Sequence, residues 1–151
     1  MDILVFSDSH GEIELMANIV QEISPDLIVH LGDHEKDAKA LSLRFPDIPL
    51  HRVRGNCDFL SKTSELEEVV VAEKKIILTH GHRYHVKESY NALYNMGHFA
   101  EADLVLFGHT HIPHYEQVNN MHVLNPGSAR DSCSIVQIQD GEIRCKHLRL
   151  L

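Results

Sequence analysis

The sequence predicts an α/β fold that carries its chemistry at the carboxyl ends of its strands. Two observations predict it. Apolar runs at Ile3–Phe6, Leu27–Leu31 and Leu50–Val53 are separated by helical patterns, the β-α-β-α-β order of parallel strands joined by crossovers. Five strand ends then carry side chains of ligand type: Asp8 and His10, Gly32-Asp33, Gly55-Asn56, Thr79-His80-Gly81-His82, and Gly108-His109-Thr110-His111. Ligands in open α/β sheets bind at the carboxyl ends of strands.

Taken in order, Ile3–Phe6 reads as a buried first strand and Ser7–Gly11 as a polar turn. Glu12 to Ile23 reads as a helix, because Ile13, Met16, Ala17, Ile19, Val20 and Ile23 recur at spacings of three and four; Ser24-Pro25-Asp26 stops it. Leu27–Leu31 is the second strand. His34 to Phe45 is the second helix, with Ala38, Leu41 and Phe45 inward and Pro46 beyond its end; Leu50–Val53 is the third strand. Valine-rich Leu66–Ala72, a turn at Glu73-Lys74-Lys75 and Ile76–Thr79 suggest a hairpin that feeds a second sheet. Val86 to Ala100 is predicted helical, and Asp103–Phe107 is a buried strand ended by Gly108. Tyr115–Val118, His122–Leu124, Ser134–Gln139 and Glu142–Leu148 predict an antiparallel meander, with Asp140-Gly141 as a two-residue hairpin turn.

The 151 residues suit one domain, 1–151, with a sizeable core. Fourteen basic and 22 acidic residues give a net charge of −8, which argues against a dedicated nucleic-acid or anionic-membrane surface. Two bound divalent cations would add ~4 positive charges locally and could reverse that sign at a cleft. Cys57, Cys133 and Cys145 form no C-x-x-C pair and are odd in number, which reads as free thiols in a reducing compartment. With no leader and no apolar run long enough to span a bilayer, the expectation is a cytoplasmic protein.

The candidate metal ligands are Asp8, His10, Asp33, Asn56, His80, His109 and His111. The spacings Asp8-x-His10 and His109-x-His111 place each pair on one side of an extended segment. Two carboxylates, one amide oxygen and four imidazoles exceed one tetrahedral ion and suit two ions of higher coordination that share a carboxylate. Such mixed nitrogen and oxygen donors fit manganese, iron, cobalt, nickel or zinc.

Asp8-Ser9-His10-Gly11, Gly32-Asp33, Gly55-Asn56-Cys57-Asp58, Thr79-His80-Gly81-His82, Gly108-His109-Thr110-His111 and Asn125-Pro126-Gly127-Ser128 resemble, in that order, the motifs of the calcineurin-like metallophosphoesterase superfamily. Within it the chain is most similar to the small prokaryotic phosphodiesterases of the YfcE type. The resemblance implies a four-layer α-β-β-α sandwich with mixed sheets and a dimetal centre between them. It implies one site from Asp8, His10 and His111, a second from Asn56, His80 and His109, and Asp33 bridging. It implies phosphodiester hydrolysis by in-line attack of a metal-bridging hydroxide, with manganese the leading metal. A homodimer is left open, as compact members often pair.

The sequence departs from many members at Cys57, where a histidine would protonate the leaving oxygen. A thiol of pKa ~8.5 replaces an imidazolium poorly, so the expectation is a preference for leaving groups that need no proton. Asp58, His34 and His82 are alternative donors. Asp33, Asn56, Cys57 and Asp58 are thus the expected catalytic residues, and His82 and Arg54 the expected substrate contacts. Arg83 and Arg130 are further candidates for a phosphate clamp. His30 and His51, inside strands, are expected to be core or interface groups. Asp37 is expected to face solvent or orient a group behind the ligands. Two other functions compete: a protein-binding scaffold on the same fold, and a nuclease. The filled ligand positions weigh against the first and the absence of a basic groove against the second.

Overall fold

The computed structural model describes residues 1–150. Its elements run β1 (Asp2–Phe6), α1 (Ile13–Ile23), β2 (Leu27–His30), α2 (Glu35–Arg44), β3 (Leu50–Arg52), β4 (Leu66–Val71), β5 (Lys74–Thr79), a 3-10 turn (His82–Tyr84), α3 (Asn91–Phe99), β6 (Leu104–Leu106), β7 (His114–Val118), β8 (Met121–Asn125), β9 (Ser132–Gln139) and β10 (Glu142–Arg149). Two mixed sheets result, with strand orders β10-β9-β1-β2-β3 and β4-β5-β6-β8-β7.

Period-two alternation builds the layers. Ile3 and Val5 of β1 join Leu27, Val29, Ile76, Leu78, Leu104, Leu106, Val136 and Ile138 in a core between the sheets. Leu4 and Phe6 face the other way and pack with Met16, Ala17 and Val20 of α1 and Leu41 of α2. Ile77 and Val105 do the same toward Leu93 of α3. Each such fully buried side chain contributes about 1.5–3 kcal/mol. The order is therefore helices, sheet, sheet, helix.

Local chemistry sets the ends of the elements. Ser24 closes α1 in a left-handed conformation, φ 50°, with its N–H on the Val20 carbonyl at 2.8 Å. His34 gives α2 no side-chain cap. The cap comes instead from Asp58, whose Oδ1 accepts the Glu35 N–H at 2.9 Å. Asp140 and Gly141 both have positive φ, 52° and 77°, as the hairpin signal requires.

Three expectations change. The antiparallel tail is divided: β7–β8 joins the second sheet, where β8 runs parallel to β6, and β9–β10 joins the first, where β9 pairs with β1. The hairpin turn of β4–β5 is Ala72-Glu73, φ 49° and 66°, not Glu73–Lys75. The third helix begins at Asn91 rather than Val86. His85 adopts φ 52°, its carbonyl takes the N–H groups of Glu88 and Ser89, and the Ser89 hydroxyl receives the Asn91 N–H at 3.1 Å. That local turn displaces the first helical turns.

Candidate metal centre

Six backbone segments meet at the carboxyl ends of β1, β2, β3, β5, β6 and β8. They bring six of the seven expected ligands, all but Asn56, into two groups. Asp8, His10 and His111 form one; Asp33, His80 and His109 form the other. In each, one donor atom per residue lies within 4.8 Å of the others.

The pairs Asp8/His10 and His109/His111 are not brought together by extended backbone. Asp8, His10, Asp33, His34, His109 and His111 all have positive φ, from 45° to 73°. None is glycine, so each holds a conformation that L-residues rarely adopt. Turns of this kind aim successive side chains into one space, and the strain is concentrated at the site.

Each carboxylate is held by one oxygen and presents the other. Asp8 Oδ2 accepts the Ser7 hydroxyl at 2.6 Å and the His109 N–H at 3.0 Å. Asp8 Oδ1 is buried without a hydrogen-bond partner, 3.2 Å from His111 Nε2 and 3.8 Å from His80 Nε2. Asp33 Oδ1 accepts the Cys57 N–H at 2.9 Å, and Oδ2 lies 3.4 Å from His80 Nε2. His80 donates its Nδ1–H to the Leu31 carbonyl at 2.8 Å, which leaves Nε2 directed at both carboxylates. His109 Nδ1 sits 3.2 Å from that Nε2. Two imidazoles ~2.1 Å from one ion subtend about this separation. His10 Nε2 is buried and unpartnered as well. Orphaned buried donors and acceptors are costly unless something completes them, so these residues fit a metal.

The electrostatics agree. Burial alone would raise the Asp33 carboxyl, but the His80 imidazole and the Cys57 N–H overcome it and hold it below the usual carboxylate range. Burial works against charge on His80, and Asp33 and Asp8 outweigh it. Burial, Arg130 and His34 push His10 down. Burial and His80 push His109 down to about 4. A metal-free imidazole held neutral is ready to ligate.

Close backbone contact fixes the loops. A Cβ on Gly108 would stand 2.0 Å from Ser7 Oγ and 2.8 Å from Asp8 Oδ2, and one on Gly55 would stand 2.2 Å from Asp33 Oδ1. Glycine is required at both. Asn125 Nδ2 donates to the Gly108 carbonyl at 3.1 Å and to Thr110 Oγ1 at 3.0 Å, and Ser128 Oγ donates to the Asp8 carbonyl at 2.8 Å. The Asn125–Ser128 turn therefore braces both ligand loops.

Other expected site residues fall differently. Asp58 is a backbone clamp: Oδ2 takes the N–H groups of Asp33 and Gly55 at 2.8 and 2.7 Å, and Oδ1 that of Glu35. It positions Asp33 and is not placed as a proton donor. Arg54 is drawn away to Glu65, 3.1 Å, and to the Ser61 carbonyl. Arg83 is also bound to Glu65, at 2.9 Å. Neither arginine is free to clamp a phosphate, whereas Arg130 has no ion pair among the described residues and is exposed. His82 stays beside the centre, its ring 5.5 Å from that of His80, with Glu65 3.6 Å from Nε2. Asn56 is exposed on the same loop, with Nδ2 3.6 Å from Cys57 Sγ. Burial and Asp33 raise the Cys57 thiol, so it is a still weaker acid than a free cysteine. His34 packs on His10, ring centroids 4.8 Å apart.

Sequence reasoning missed a buried chain behind the first group. The Gly32 N–H is directed at His30 Nδ1, 3.2 Å, so the ring hydrogen belongs on Nε2, 2.8 Å from Ser9 Oγ. The Ser9 hydroxyl donates to Asp37 Oδ2 at 2.7 Å, which also accepts the Gly11 N–H at 2.7 Å. Asp37 is buried here and holds Ser9 behind the candidate ligands, the second of the two expectations for it. The available signal was a lone histidine within the apolar run Leu27–Leu31.

Paired sheets with two carboxylate–imidazole groups at their strand ends define a metal-site α/β protein. A family model for the calcineurin-like phosphoesterase superfamily domain matches residues 1–139. The chain belongs to that superfamily. It is 34% identical over 132 residues to the probable metallophosphoesterase YsnB of Bacillus subtilis, covering 86% of this chain and 76% of YsnB. It is 31% identical over 84 residues to the phosphodiesterase YfcE of Escherichia coli K12, covering 50% of this chain and 42% of YfcE. Among solved structures, a predicted phosphoesterase of Streptococcus pneumoniae superposes with a TM-score of 0.84 at 28% identity, covering 99% of this chain and 89% of that one. Vps29 of Entamoeba histolytica, complexed with zinc, superposes at 0.78 with 22% identity over the whole of both chains, which shows the shared fold.

Proposed function

We propose that the protein is a metal-dependent phosphodiesterase with a two-metal centre. The observation that carries this reading is the pair of Asp/His groups, one of which buries Asp8 Oδ1 and His10 Nε2 without partners. Asp8, His10 and His111 would hold one ion, and His80, His109 and the Asn56 carbonyl oxygen the other, with Asp33 between them. Divalent transition ions, manganese first among them, would supply Lewis acidity toward the phosphoryl oxygens and a reactive water at neutral pH.

The chain's own residues do the rest. Asp58 and the Cys57 N–H fix Asp33; the Leu31 carbonyl fixes the tautomer of His80. Arg130, without an ion pair among the described residues and close enough to His10 to lower its pKa, would be the group to meet a non-bridging phosphate oxygen. One free arginine suits the single charge of a diester better than the double charge of a monoester. With Asp58 occupied and the Cys57 thiol weakened as an acid, a leaving oxygen receives little help. Aryl diesters, whose leaving groups depart unprotonated, are therefore the favoured substrates. The similarity to YfcE supports the diester class. The three free cysteines suit a reducing cytoplasm, and no helix among the described residues is long and apolar enough to cross a membrane.

A second reading is a protein-binding scaffold on the same fold, supported by 30% identity over 93 residues to the vacuolar protein sorting-associated protein 29 of Schizosaccharomyces pombe. Hydrolysis of bis-p-nitrophenyl phosphate with manganese separates the two. The enzyme reading expects turnover that a chelator removes and that Asp33→Asn abolishes. Wild-type turnover in that variant would remove Asp33 from the centre, and no turnover in metal-loaded protein would leave the scaffold.

A further inference from the structure

Beside the centre, Leu60 combines two unfavourable features. Its φ is 63°, and its side chain is 100% exposed. A left-handed backbone disfavours any residue with a branched side chain, and a leucine in water buries nothing. Its neighbour Phe59 is 83% exposed. Asparagine or glycine would serve a plain solvated turn better.

Both side chains line a cavity of about 350 Å³, with His34, Cys57, Lys36 and Lys39 among the other walls. The cavity adjoins the metal centre on two sides. Cys57 is bonded through its N–H to Asp33, and His34 packs on His10. Lys36 and Lys39 stand three residues apart on the exposed side of α2, one above the other. Neither makes an ion pair among the described residues. Both wall carboxylates are answered: Glu35 by Arg52 at 3.2 Å and by the Ser61 hydroxyl, and Asp58 by the N–H groups of Asp33, Glu35 and Gly55. With those carboxylates already answered, two exposed lysines without an ion pair among the described residues are the cations this wall has left to offer an anion.

We propose that Phe59, Leu60, Lys36 and Lys39 form a subsite for the part of the substrate beyond the scissile phosphate. An aromatic base stacks on Phe59 against Leu60, and a second phosphate sits between the lysines. The ligand chemistry is that of a short, terminally phosphorylated oligonucleotide. One lysine pair accounts for one extra phosphate, and the chain's acidic balance gives a longer strand no track to follow. This assignment rests on the phosphodiesterase reading for its substrate, but its binding can be measured without turnover.

The test compares 5′-phosphorylated dithymidylate, unphosphorylated dithymidylate and methyl p-nitrophenyl phosphate with manganese-loaded protein. Phe59→Ala should lower kcat/KM for both dinucleotides, relative to the methyl ester, by about tenfold and through KM, a loss within the range of base–aromatic stacking. The double variant Lys36→Ala/Lys39→Ala should erase the preference for the 5′-phosphate and its salt dependence. Leu60→Asn should raise the melting temperature while lowering the dinucleotide preference. A loop with only a structural role would gain stability and keep its selectivity. Ratios within about twofold of wild type in all three variants would overturn the proposal. Calorimetry with thymidine 3′,5′-bisphosphate decides the case if no diester is hydrolysed. Binding that weakens at least about fivefold in Phe59→Ala would uphold the subsite while the phosphodiesterase reading falls. No binding at millimolar concentration, or equal binding by both proteins, would overturn it.

Discussion

Ser9→Ala tests the hidden chain behind the first ligand group. Ser9 is fully buried and lies between Asp8 and His10. Its hydroxyl accepts from His30 Nε2 at 2.8 Å and donates to Asp37 at 2.7 Å. Alanine leaves the His30 N–H buried with no acceptor, a loss of about 1–3 kcal/mol, and removes a hydrogen bond to a carboxylate. Asp37 keeps the Gly11 N–H, so its own charge is not stranded. The sum is roughly 2–4 kcal/mol, the two effects being partly shared. For a chain of this size each kcal/mol lowers Tm by about 2–4 °C, so about 4–16 °C is expected. Urea unfolding and calorimetry in chelator measure this without metal. The loop 8–11 should also loosen, and manganese affinity should fall about 10–100-fold, the usual effect of losing a group that orients ligands. A stability loss below about 0.5 kcal/mol would refute the chain as drawn, because a buried imidazole N–H cannot lose its acceptor at so little cost.

Three further outcomes follow from the same geometry. Burial pushes His30 down to about 4, against the partial opposition of Asp37 and Asp58. The unfolded chain therefore takes up this proton first as pH falls; the His30 share of stability should be full above about 6.5 and be lost toward pH 4, by up to about 3 kcal/mol, with His109 acting in the same direction, and a urea midpoint that stays flat across that window contradicts the assignment. Gly108→Ala drives a methyl group against Ser7 and Asp8; it should cost about 1–3 kcal/mol and weaken metal binding, and a wild-type Tm would show that the loop relaxes freely. Cys57→His places an imidazole where a weak thiol stands; it should speed alkyl diesters by about 10²-fold while changing aryl diesters little, and equal gains on both would separate Cys57 from leaving-group protonation.

Much of this arrangement was legible because it depends on period and punctuation. Ile3–Phe6 is apolar throughout and Leu27–Leu31 is so but for His30, as strands buried on both faces must be, and the polar residues after them mark the edge where the candidate ligands gather. Asp140-Gly141 was legible for a related reason: few dipeptides accept two positive φ values. The course of the tail was not. Which sheet β8 and β9 enter depends on long-range pairing with β6 and β1, and four short antiparallel runs carry no local sign of it. The start of α3 was lost to Ser89, whose hydroxyl competes with the helix. Within the site, the candidate ligands could be read from residue type, but their mode of convergence could not. Asp8 and His10 are aimed by left-handed turns rather than by strand alternation. The fates of Asp58 and Arg54 were illegible for one shared reason: a charged residue in a loop looks alike whether it holds substrate, backbone or another charge, and partners such as Glu35 and Glu65 are distant in sequence; for Asp37 the choice between solvent and a buried partner turned on Ser9, equally distant.

The most direct measurement is an anomalous-scattering map from crystals grown with manganese. Two peaks ~3.5–4 Å apart are predicted, one bounded by Asp8, His10 and His111 and the other by His80, His109 and Asn56, with Asp33 touching both. A single peak, or manganese bound elsewhere while these side chains stay as they are, would contradict the account.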